Sequence, residues 1–352
     1  MRRPFQQIAD PAFILSPRIA LTFRRFHPHT FRRESMSMRT LTLAGILFGT
    51  CTACVAEPRI LHQQSTISFT STASIELSND QSRFTVKPKD GVSLSGSLQF
   101  PPGDGPFPAV VLAHGCNGIG QTERAWVEAL RTWGYATFLL DSFAGRNVAE
   151  VCTNPWALAP LQRVPDVFGA LRVLAGNPSI DARRIALMGF SHGGIVALNA
   201  ATTWAFRTFA PKSGPSFRAF IALYPYCNVS FPEQAQISGP LRIHIGELDD
   251  WTPAVPCERM TSHLVKRGQN AGITVYPGAH HGFDAVDAGR ILLPEAVNAA
   301  ACSFDIPSIL GPFPFRDALA RCTRKGATVE ENTAATAAAR NNVRMEIEEL
   351  LD

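Results

Sequence analysis

Several features that define other protein classes are missing from this 352-residue sequence. It has no internal repeat, no heptad array and no Gly-x-Gly-x-x-Gly loop, which excludes a repeat array, a coiled coil and a typical dinucleotide-binding loop. It also has no uninterrupted apolar run of about 18 residues, the length that a membrane-spanning helix needs. With 45% hydrophobic and 18% charged residues, the composition is that of a globular protein with a buried core.

The chain also has little net charge once its first segment is set aside. The formal charge of +4 comes from residues 1–56, which hold eight Arg and two acidic residues. Residues 57–352 hold 25 basic and 27 acidic residues, a formal charge of −2. A nucleic-acid-binding surface normally shows as a basic excess, so we expect no nucleic-acid partner.

The first segment is predicted to be a leader. Residues 38–56 have the pattern of a secretory signal peptide, with an apolar stretch at 41–49 followed by small residues. That stretch is too short for a membrane helix, so we expect an exported protein, periplasmic or secreted, with no stable membrane span. Residues 1–37 show no domain-like pattern, which is explained if the true start is Met36 or Met38.

Cysteine is scarce, and the chain beyond the leader contains an even number of cysteines. The six cysteines there are Cys116, Cys152, Cys227, Cys257, Cys302 and Cys322. None of them forms a Cys-x-x-Cys pair, which argues against a zinc site. An even number in an oxidising compartment predicts disulfides, but six cysteines allow 15 pairings and the sequence does not choose among them.

Two different sequence patterns follow the leader. Residues 57–80, rich in Ser and Thr between 65 and 78, are predicted to be a linker. Residues 83–86 and 92–100 then alternate apolar and polar side chains on either side of an Asp-Gly pair. This pattern predicts an N-terminal β-hairpin.

Short apolar runs separated by helix-length segments follow. The runs lie at residues 109–113, 136–140, 185–188, 220–223, 241–245 and 273–276. Fully apolar runs are typical of strands covered on both faces, so they predict a mostly parallel central sheet flanked by helices, an α/β fold. Helices are predicted at residues 122–133, 164–175, 192–203 and 255–267, with a closing amphipathic helix at 333–351. Residues 81–352 are therefore predicted to form one catalytic domain.

A candidate nucleophile lies directly after the predicted strand at 185–188. The sequence there is Gly-Phe-Ser-His-Gly-Gly, residues 189–194. A Gly-x-Ser-x-Gly pattern between a strand and a helix is typical of a nucleophile elbow, where the serine occupies a strained turn and larger neighbours would clash. The pattern alone occurs by chance, but the flanking strand and helix are the context it requires. We therefore predict Ser191 as a nucleophile.

A serine nucleophile needs a base, and the base needs an orienting carboxylate that precedes it in the chain. Three acids follow the predicted strand at 241–245: Glu247, Asp249 and Asp250. Asp249 is favoured as the first Asp beyond the turn at Gly246, Asp250 is its competitor and Glu247 comes third. The Asp that is not catalytic is expected in a solvated loop or at a helix N-cap.

Two histidines follow the last predicted strand, in the loop Pro-Gly-Ala-His-His-Gly. His281, next to Gly282, is favoured as the base over His280. A lone loop histidine is usually a surface residue, but the chain order Ser, Asp, His supports a catalytic reading.

The transition state of acyl transfer also carries an oxyanion that needs backbone donors. The N–H of His192, directly after the nucleophile, is the first candidate. The N–H of Cys116 is the second, in the turn after the predicted strand at 109–113; an ordinary turn is the alternative. Because the nucleophile belongs to the chain, no metal and no organic cofactor are expected.

With these residues in place, residues 84–283 resemble the dienelactone hydrolase family of the α/β-hydrolases. The supporting segments are Ala-His-Gly-Cys at 113–116, Leu-Asp-Ser-Phe at 140–143 with Arg146, the elbow at 189–194, Gly-Glu-Leu-Asp at 246–249 and His-Gly-Phe at 281–283. The resemblance implies an α/β-hydrolase fold and a small-molecule ester or lactone as the substrate.

Three positions depart from the founding members of that family. Those enzymes use a cysteine nucleophile where this chain has Ser191, and they place a glutamate in the oxyanion loop where Gly115 falls. Their arginine for the substrate carboxylate corresponds to Ala285. The resemblance thus implies an ester or lactone hydrolase without naming its substrate.

We therefore expect an exported carboxylic-ester hydrolase that works through an acyl-enzyme, with Ser191, Asp249 and His281 as the triad. A serine peptidase or amidase of the same fold is one alternative, although such enzymes usually carry a further domain. A catalytically inactive binding protein is another, although it would not need to retain the three residues.

Four further residues are predicted to line the substrate pocket: His114, Phe143, Arg146 and Trp251. Buried packing is the alternative for the two aromatic residues. The Pro-rich segment 302–322 is a candidate loop near the pocket, closed by a disulfide of its own, and a plain surface excursion is the alternative.

Overall fold

The structure is a computed structural model that describes residues 64–211 and 213–351. The predicted leader, with its signal peptide, lies outside the described residues, as does the beginning of the predicted linker. Along the chain the strands are β1 (Ser65–Thr70), β2 (Ser74–Leu77), β3 (Phe84–Lys87), β4 (Ser93–Gln99), β5 (Phe107–Ala113), β6 (Ala136–Asp141), β7 (Ile180–Phe190), β8 (Ala219–Leu223), β9 (Val229–Ser230), β10 (Leu241–Gly246), β11 (Ala271–Tyr276), β12 (Arg290–Asn298), β13 (Phe304–Asp305) and β14 (Arg324–Glu330). The helices are α1 (Gln121–Thr132), α2 (Val164–Ala175), α3 (His192–Ala201), α4 (Thr203–Phe209), α5 (Ala254–Lys266), α6 (Phe315–Ala320) and α7 (Thr333–Leu351).

Eight of these strands form the central sheet, in the order β1-β4-β6-β5-β7-β8-β10-β11. Six neighbouring strands of this sheet run parallel to one another: β6, β5, β7, β8, β10 and β11. Strands β4 and β1 extend the sheet beyond β6, and each is antiparallel to its neighbours. Helices α1, α2, α3, α5 and α7 pack against these strands. The predicted mostly parallel sheet flanked by helices is confirmed.

The apolar runs of the sequence form the middle of this sheet because both of its faces are covered. All five residues at 109–113 of β5 are fully buried, and so are the residues at 185–188 of β7. A strand that is buried on both faces has no polar position, which explains the absence of alternation in these runs. The six predicted parallel strands all lie where they were expected.

The N-terminal strands pair differently from the prediction. Strand β3 pairs with β2, and β4 pairs with β1 and β6 in the central sheet, so the predicted hairpin between residues 83–86 and 92–100 is wrong. The Ser/Thr-rich residues 65–78 form β1 and β2 rather than a linker. Half-buried edge strands accept Ser and Thr on their exposed face, so composition did not separate them from a linker.

The helices follow the prediction closely. Helix α2 has the predicted bounds, and α1 and α5 differ by one residue at each end. The predicted helix at 192–203 ends earlier, at Ala201, and a second helix, α4, begins after Thr202, whose hydroxyl accepts the N–H of Ala205. No helix among the described residues has both the length and the apolar character to cross a membrane.

Three disulfides connect the six cysteines: Cys116 with Cys152, Cys227 with Cys257, and Cys302 with Cys322. The segment 302–322 is thus closed by a disulfide of its own, one of the pairings that the sequence left open. That segment contributes no residue to the lining of the candidate active-site cavity, which agrees with a surface excursion. Disulfides are typical of oxidising compartments.

A two-stranded sheet of β12 and β14 follows the last parallel strand and lies beside the carboxyl edge of the central sheet. Its residues Ile291, Leu293 and Ala296 line the same cavity as Ser191. Helix α7 then closes the domain, with Ala335, Ala339, Val343 and Ile347 buried at a spacing of four residues, as an amphipathic helix requires.

Candidate active site

Ser191 lies at the sharp turn between β7 and α3. Its backbone has φ 51° and ψ −111°, a conformation that residues with a side chain rarely adopt. A Cβ added at Gly189 would lie 2.0 Å from the carbonyl oxygen of Gly193, and one at Gly193 would lie 2.0 Å from that of Ala113. Only glycine fits these two positions, as the elbow pattern predicted.

The imidazole of His281 bridges Ser191 and Asp249. Its Nε2 lies 2.9 Å from Ser191 Oγ, and its Nδ1 lies 2.8 Å from Asp249 Oδ2. The side chains of His281 and Asp249 are buried. The three residues come from three separate loops, after β7, β10 and β11, which all end at the same edge of the parallel sheet.

The Asp249 carboxylate is held in place by the residues that follow it. Its Oδ1 accepts the N–H of Trp251 at 3.0 Å and the N–H of Thr252 at 2.7 Å. Its Oδ2 accepts the hydroxyl of Thr252 at 2.9 Å, beside the bond to the imidazole. These donors fix the orientation of the carboxylate toward His281.

The alternatives to Asp249 and His281 contact other partners and not Ser191. The Asp250 carboxylate accepts the backbone N–H of Thr328 at 2.9 Å and its hydroxyl at 2.8 Å. Glu247 accepts the N–H of Gly278 and is exposed. His280 Nε2 lies 3.4 Å from Glu330, so it is Asp249 and His281, not their neighbours, that meet Ser191.

The predicted oxyanion loop passes beside Ser191. Gly115 and Cys116 line the same cavity as Ser191, and a Cβ added at Gly115 would lie 3.8 Å from the Cβ of Ser191. Helix α3 begins at His192, the other predicted donor. The loop is also covalently held, because Cys116 is bonded to Cys152.

Glu123 holds the same loop through its carboxylate. Oε1 accepts the N–H of Gly115 at 3.1 Å, and Oε2 accepts the N–H of Gly120 at 2.8 Å. Glu123 lies in the first turn of α1 and is buried. Its position at the loop was not predicted from the sequence, although a Glu at the third position of a helix is a known capping signal.

The site opens into a cavity of about 690 Å³. Trp251 lines this cavity, as predicted, with its ring centroid 4.9 Å from that of His281 and its Nε1 donating to the carbonyl of Val297. The acidic residues in the lining are Glu123, Glu150 and Glu295. Among the described residues, no Arg or Lys lines the cavity.

Three predicted pocket residues do not line the cavity. His114 is fully buried, with Nδ1 2.8 Å from the carbonyl oxygen of Gly115. Phe143 is buried against Val151 and packs edge-on to His114. The predictions failed because each side chain follows a parallel strand but turns inward beneath the loops.

Arg146 is the third of these residues. Its guanidinium forms two bonds to the carboxylate of Asp166, at 2.8 and 2.9 Å, and one to the carbonyl of Ser142. A bidentate arginine whose carboxylate partner is completely buried is not free to bind a substrate. Burial raises the pKa of Asp166, although Arg146 acts in the opposite direction.

Tyr224 is a further residue of the site that was not predicted from the sequence. It lines the cavity with its ring centroid 4.8 Å from that of His281, and its backbone has φ 38°. Its hydroxyl donates to Asp284 at 2.8 Å, and the indole N–H of Trp126 donates to the same carboxyl at 2.7 Å. Burial raises the pKa of both Tyr224 and Asp284. Tyr224 thus packs against the imidazole of His281 and is held in place by its bond to Asp284.

A parallel sheet with a serine on a strand-to-helix elbow, followed in chain order by an aspartate and a histidine at the same edge, defines an α/β-hydrolase. Residues 94–304 match the family profile described as the Dienelactone hydrolase family. The chain belongs to the dienelactone hydrolase family, and it is a carboxylic-ester hydrolase.

Among curated proteins, the chain is similar to a Bradyrhizobium sp protein named a probable 2-oxo-3-(5-oxofuran-2-ylidene)propanoate lactonase. The two are 24% identical over 207 residues, which is 55% of this chain and 80% of the relative. A second relative, from Aspergillus aculeatus, is named thiohydrolase aneE and is 33% identical over 114 residues. That match covers 32% of this chain and only 34% of the relative.

Among solved structures, the chain is similar to a dienelactone hydrolase-like promiscuous phosphotriesterase from metagenomic libraries. The TM-score is 0.54 at 14% sequence identity, with 82% of this chain and 99% of that chain covered. At this identity the likeness shows the shared fold and nothing finer. It agrees with the fold class expected from the sequence.

Proposed function

We propose that the chain is a serine hydrolase that cleaves a carboxylic ester or lactone through an acyl-enzyme. The observation that carries the proposal is the continuous line of hydrogen bonds from Ser191 Oγ to His281 Nε2 at 2.9 Å, and from His281 Nδ1 to Asp249 Oδ2 at 2.8 Å. This arrangement provides a nucleophile, its base and the group that orients the base.

The reaction follows from this geometry. The Ser191 hydroxyl passes its proton to His281 Nε2 as Oγ bonds to the substrate carbonyl carbon, and the negative charge moves to the carbonyl oxygen. The N–H groups of Cys116 and His192 receive that oxyanion. When the intermediate collapses, the carbon–oxygen bond breaks and His281 protonates the departing alkoxide. Water, activated by His281, then hydrolyses the acyl-enzyme and frees Ser191.

The charged residues of the cavity indicate which charge the substrate can carry. Its three carboxylates belong to Glu123, Glu150 and Glu295, and the last is paired with Lys325. Ala285 lines the cavity at the position where the family resemblance implies an arginine for a substrate carboxylate. A substrate anion would therefore meet these carboxylates and, within the described part of the chain, no Arg or Lys in the lining. The substrate we propose is an ester or lactone without negative charge.

Export is part of the proposal. It rests on the signal-peptide pattern at residues 38–56 and on the three disulfides, which form and persist in oxidising compartments. The catalytic domain then begins near β1, after the leader.

The nucleophile is tested with Ser191→Ala. We expect the variant to lose p-nitrophenyl acetate hydrolysis by several powers of ten and to lose covalent labelling by a fluorophosphonate, because no hydroxyl remains at the elbow. Ser262→Ala is the matched control, since Ser262 is exposed on α5, and it should keep both signals. Retained labelling of Ser191→Ala would sink the proposal. Turnover of peptide amides but not of esters would favour a peptidase instead.

A further inference from the structure

Arg163 is a fully buried arginine beneath the candidate active site. It ends the short 3₁₀ turn Pro160–Arg163 that leads into α2. Its Nη1 donates to the carbonyl oxygen of His114 at 3.0 Å and lies 2.8 Å from Nδ1 of His192. Its guanidinium also lies over the ring of Phe143, 5.1 Å from the centroid. None of the predicted site residues accounts for a buried cation at this place.

The two groups that share Nη1 belong to the two halves of the proposed oxyanion hole. His114 directly precedes Gly115 and Cys116, so its carbonyl lies at the base of the oxyanion loop. His192 directly follows Ser191 and is the first residue of α3. One nitrogen atom therefore connects the two separate segments that supply the N–H donors.

The guanidinium of Arg163 also retains its positive charge. The nearby carboxylate of Asp166 forms its two ion-pair bonds with Arg146, and no ion pair to Arg163 occurs within the described part of the chain. Burial lowers the pKa of Arg163 to about 10, with Asp166 acting in the opposite direction, so the group stays protonated at neutral pH.

The two histidines around Arg163 are neutral at the same pH. Burial is the larger cause and the charge of Arg163 the next, and together they hold the pKa of His114 and of His192 well below the usual 6.5. The His192 ring accordingly accepts the Arg163 N–H at Nδ1 rather than repelling it. The cluster thus adds one arginine charge behind the hole without a directly bonded counter-ion.

We propose that Arg163 is a positioning residue for the oxyanion hole, which fixes the spacing of the Cys116 and His192 N–H groups and adds a positive charge behind them. The inference rests on the proposed serine mechanism. Its physical basis is that fixed dipoles and charges aimed at the developing oxyanion act strongly where water is excluded and need no reorganisation during the reaction. The effect belongs to the transition state, because the ground-state carbonyl carries much less charge.

The experiment compares Arg163→Gln, Arg163→Lys and a control, Arg131→Gln. Arg131 is also buried and also donates to a backbone carbonyl, that of Phe100, but it lies in the last turn of α1. Active sites are counted by fluorophosphonate titration, so that kcat refers to folded enzyme only. The readouts are kcat and KM for p-nitrophenyl acetate and the inhibition constant of phenylboronic acid, which forms a tetrahedral anion on the serine.

We expect Arg163→Gln to lower kcat by about tenfold to a hundredfold, somewhat less than removal of an oxyanion donor itself, with KM changed by no more than about twofold. The inhibition constant of phenylboronic acid should rise by a similar factor. Arg163→Lys, which keeps the charge, should recover part of both losses. Arg131→Gln should change neither after titration.

Two results would overturn the inference. One is an unchanged kcat and boronate affinity for titrated Arg163→Gln. The other is equal losses in Arg163→Gln and Arg131→Gln, which indicate a general structural role. Failure of the proposed mechanism itself is seen separately, as absence of labelling and turnover in the unmodified protein.

Discussion

Asp249 and Asp250 are neighbours in the chain, but their carboxylates contact different partners. Asp249 accepts two backbone N–H groups and the Thr252 hydroxyl, and it faces His281. Asp250 accepts the backbone and side chain of Thr328 in β14. A one-residue step along the loop thus separates a carboxylate that contacts the His281 imidazole from one that contacts β14.

This difference gives a matched pair of substitutions. Asp249→Asn should lower kcat by about 10³ to 10⁴, because an amide no longer selects the tautomer and orientation of the His281 ring. Asp250→Asn should leave kcat unchanged after active-site titration and lower only the free energy of unfolding, by about 1 to 3 kcal/mol, because the bonds to Thr328 are weakened. Steady-state kinetics and urea unfolding of both variants check this. A larger kcat loss in Asp250→Asn would reverse the assignment.

Glu123 places a carboxylate at one of the positions where this chain departs from the family resemblance. The oxyanion loop has Gly115 where the founding members have a glutamate, but the carboxylate of Glu123 extends from α1 to the N–H of Gly115. A carboxylate is therefore present next to the loop, supplied by a different element. It shapes the loop through the bonds to Gly115 and Gly120.

At the scale of elements, the cavity is bounded by loops that are fastened to one another. The disulfide between Cys116 and Cys152 joins the oxyanion loop to the loop before α2, and the N–H of Val151 donates to the carbonyl of Cys116 at 2.8 Å. The carbonyl of Cys152 in turn accepts the N–H of Val297 in β12. Three segments distant in sequence are thus held around Ser191.

Loss of this disulfide should affect catalysis as well as stability. In a double variant, Cys116→Ala with Cys152→Ala, we expect a loss of about 3 to 4 kcal/mol in unfolding free energy, from the freed loop of the unfolded chain. We also expect kcat to fall by about tenfold to a hundredfold, because displacement of the oxyanion loop by about 1 Å misplaces its donor.

The control is the double variant Cys302→Ala with Cys322→Ala, whose disulfide lies away from the cavity. It should lose a similar amount of unfolding free energy while kcat of the titrated enzyme stays unchanged. Equal kcat losses in the two double variants would show that the Cys116 disulfide has no special part in the site.

At the scale of the whole molecule, the cavity combines the loops after β5, β6, β7, β8, β10 and β11 with the sheet of β12 and β14. The lining that results is mostly apolar, carries three carboxylates and, among the described residues, contains no Arg or Lys. The proposed preference for an uncharged substrate therefore depends on the assembled molecule, since the lining residues come from segments spread over more than 200 positions.

The expected selectivity is measurable. Relative to p-nitrophenyl acetate, a p-nitrophenyl ester with a carboxylate on its acyl chain should show a lower kcat/KM, by about twofold to thirtyfold after correction for its hydroxide rate. Glu150→Gln should reduce that discrimination, and so should added salt, because Glu150 is partly exposed. A carboxylate ester that is preferred over the neutral one would contradict the proposed substrate class.

The sequence by itself determined the parallel strands, most helix bounds and the elbow at Ser191. These features depend on local information: apolar runs mark strands buried on both faces, and close backbone contacts at Gly189 and Gly193 demand glycine. The chain order of the acid and the histidine was enough to propose Asp249 and His281, which the fold brings together. For these parts, the residues within each short stretch of the chain are enough for a prediction.

Only the tertiary structure decided the rest, because it depends on partners distant in the chain. It paired β3 with β2 and β4 with β1 where a local turn predicted a hairpin, and it selected one set of three disulfides out of 15 possible sets. It turned His114, Phe143 and Arg146 away from the cavity and placed Arg163 behind the oxyanion loop. A side chain's direction at a loop depends on what packs beneath it, and neither pattern nor spacing records that contact.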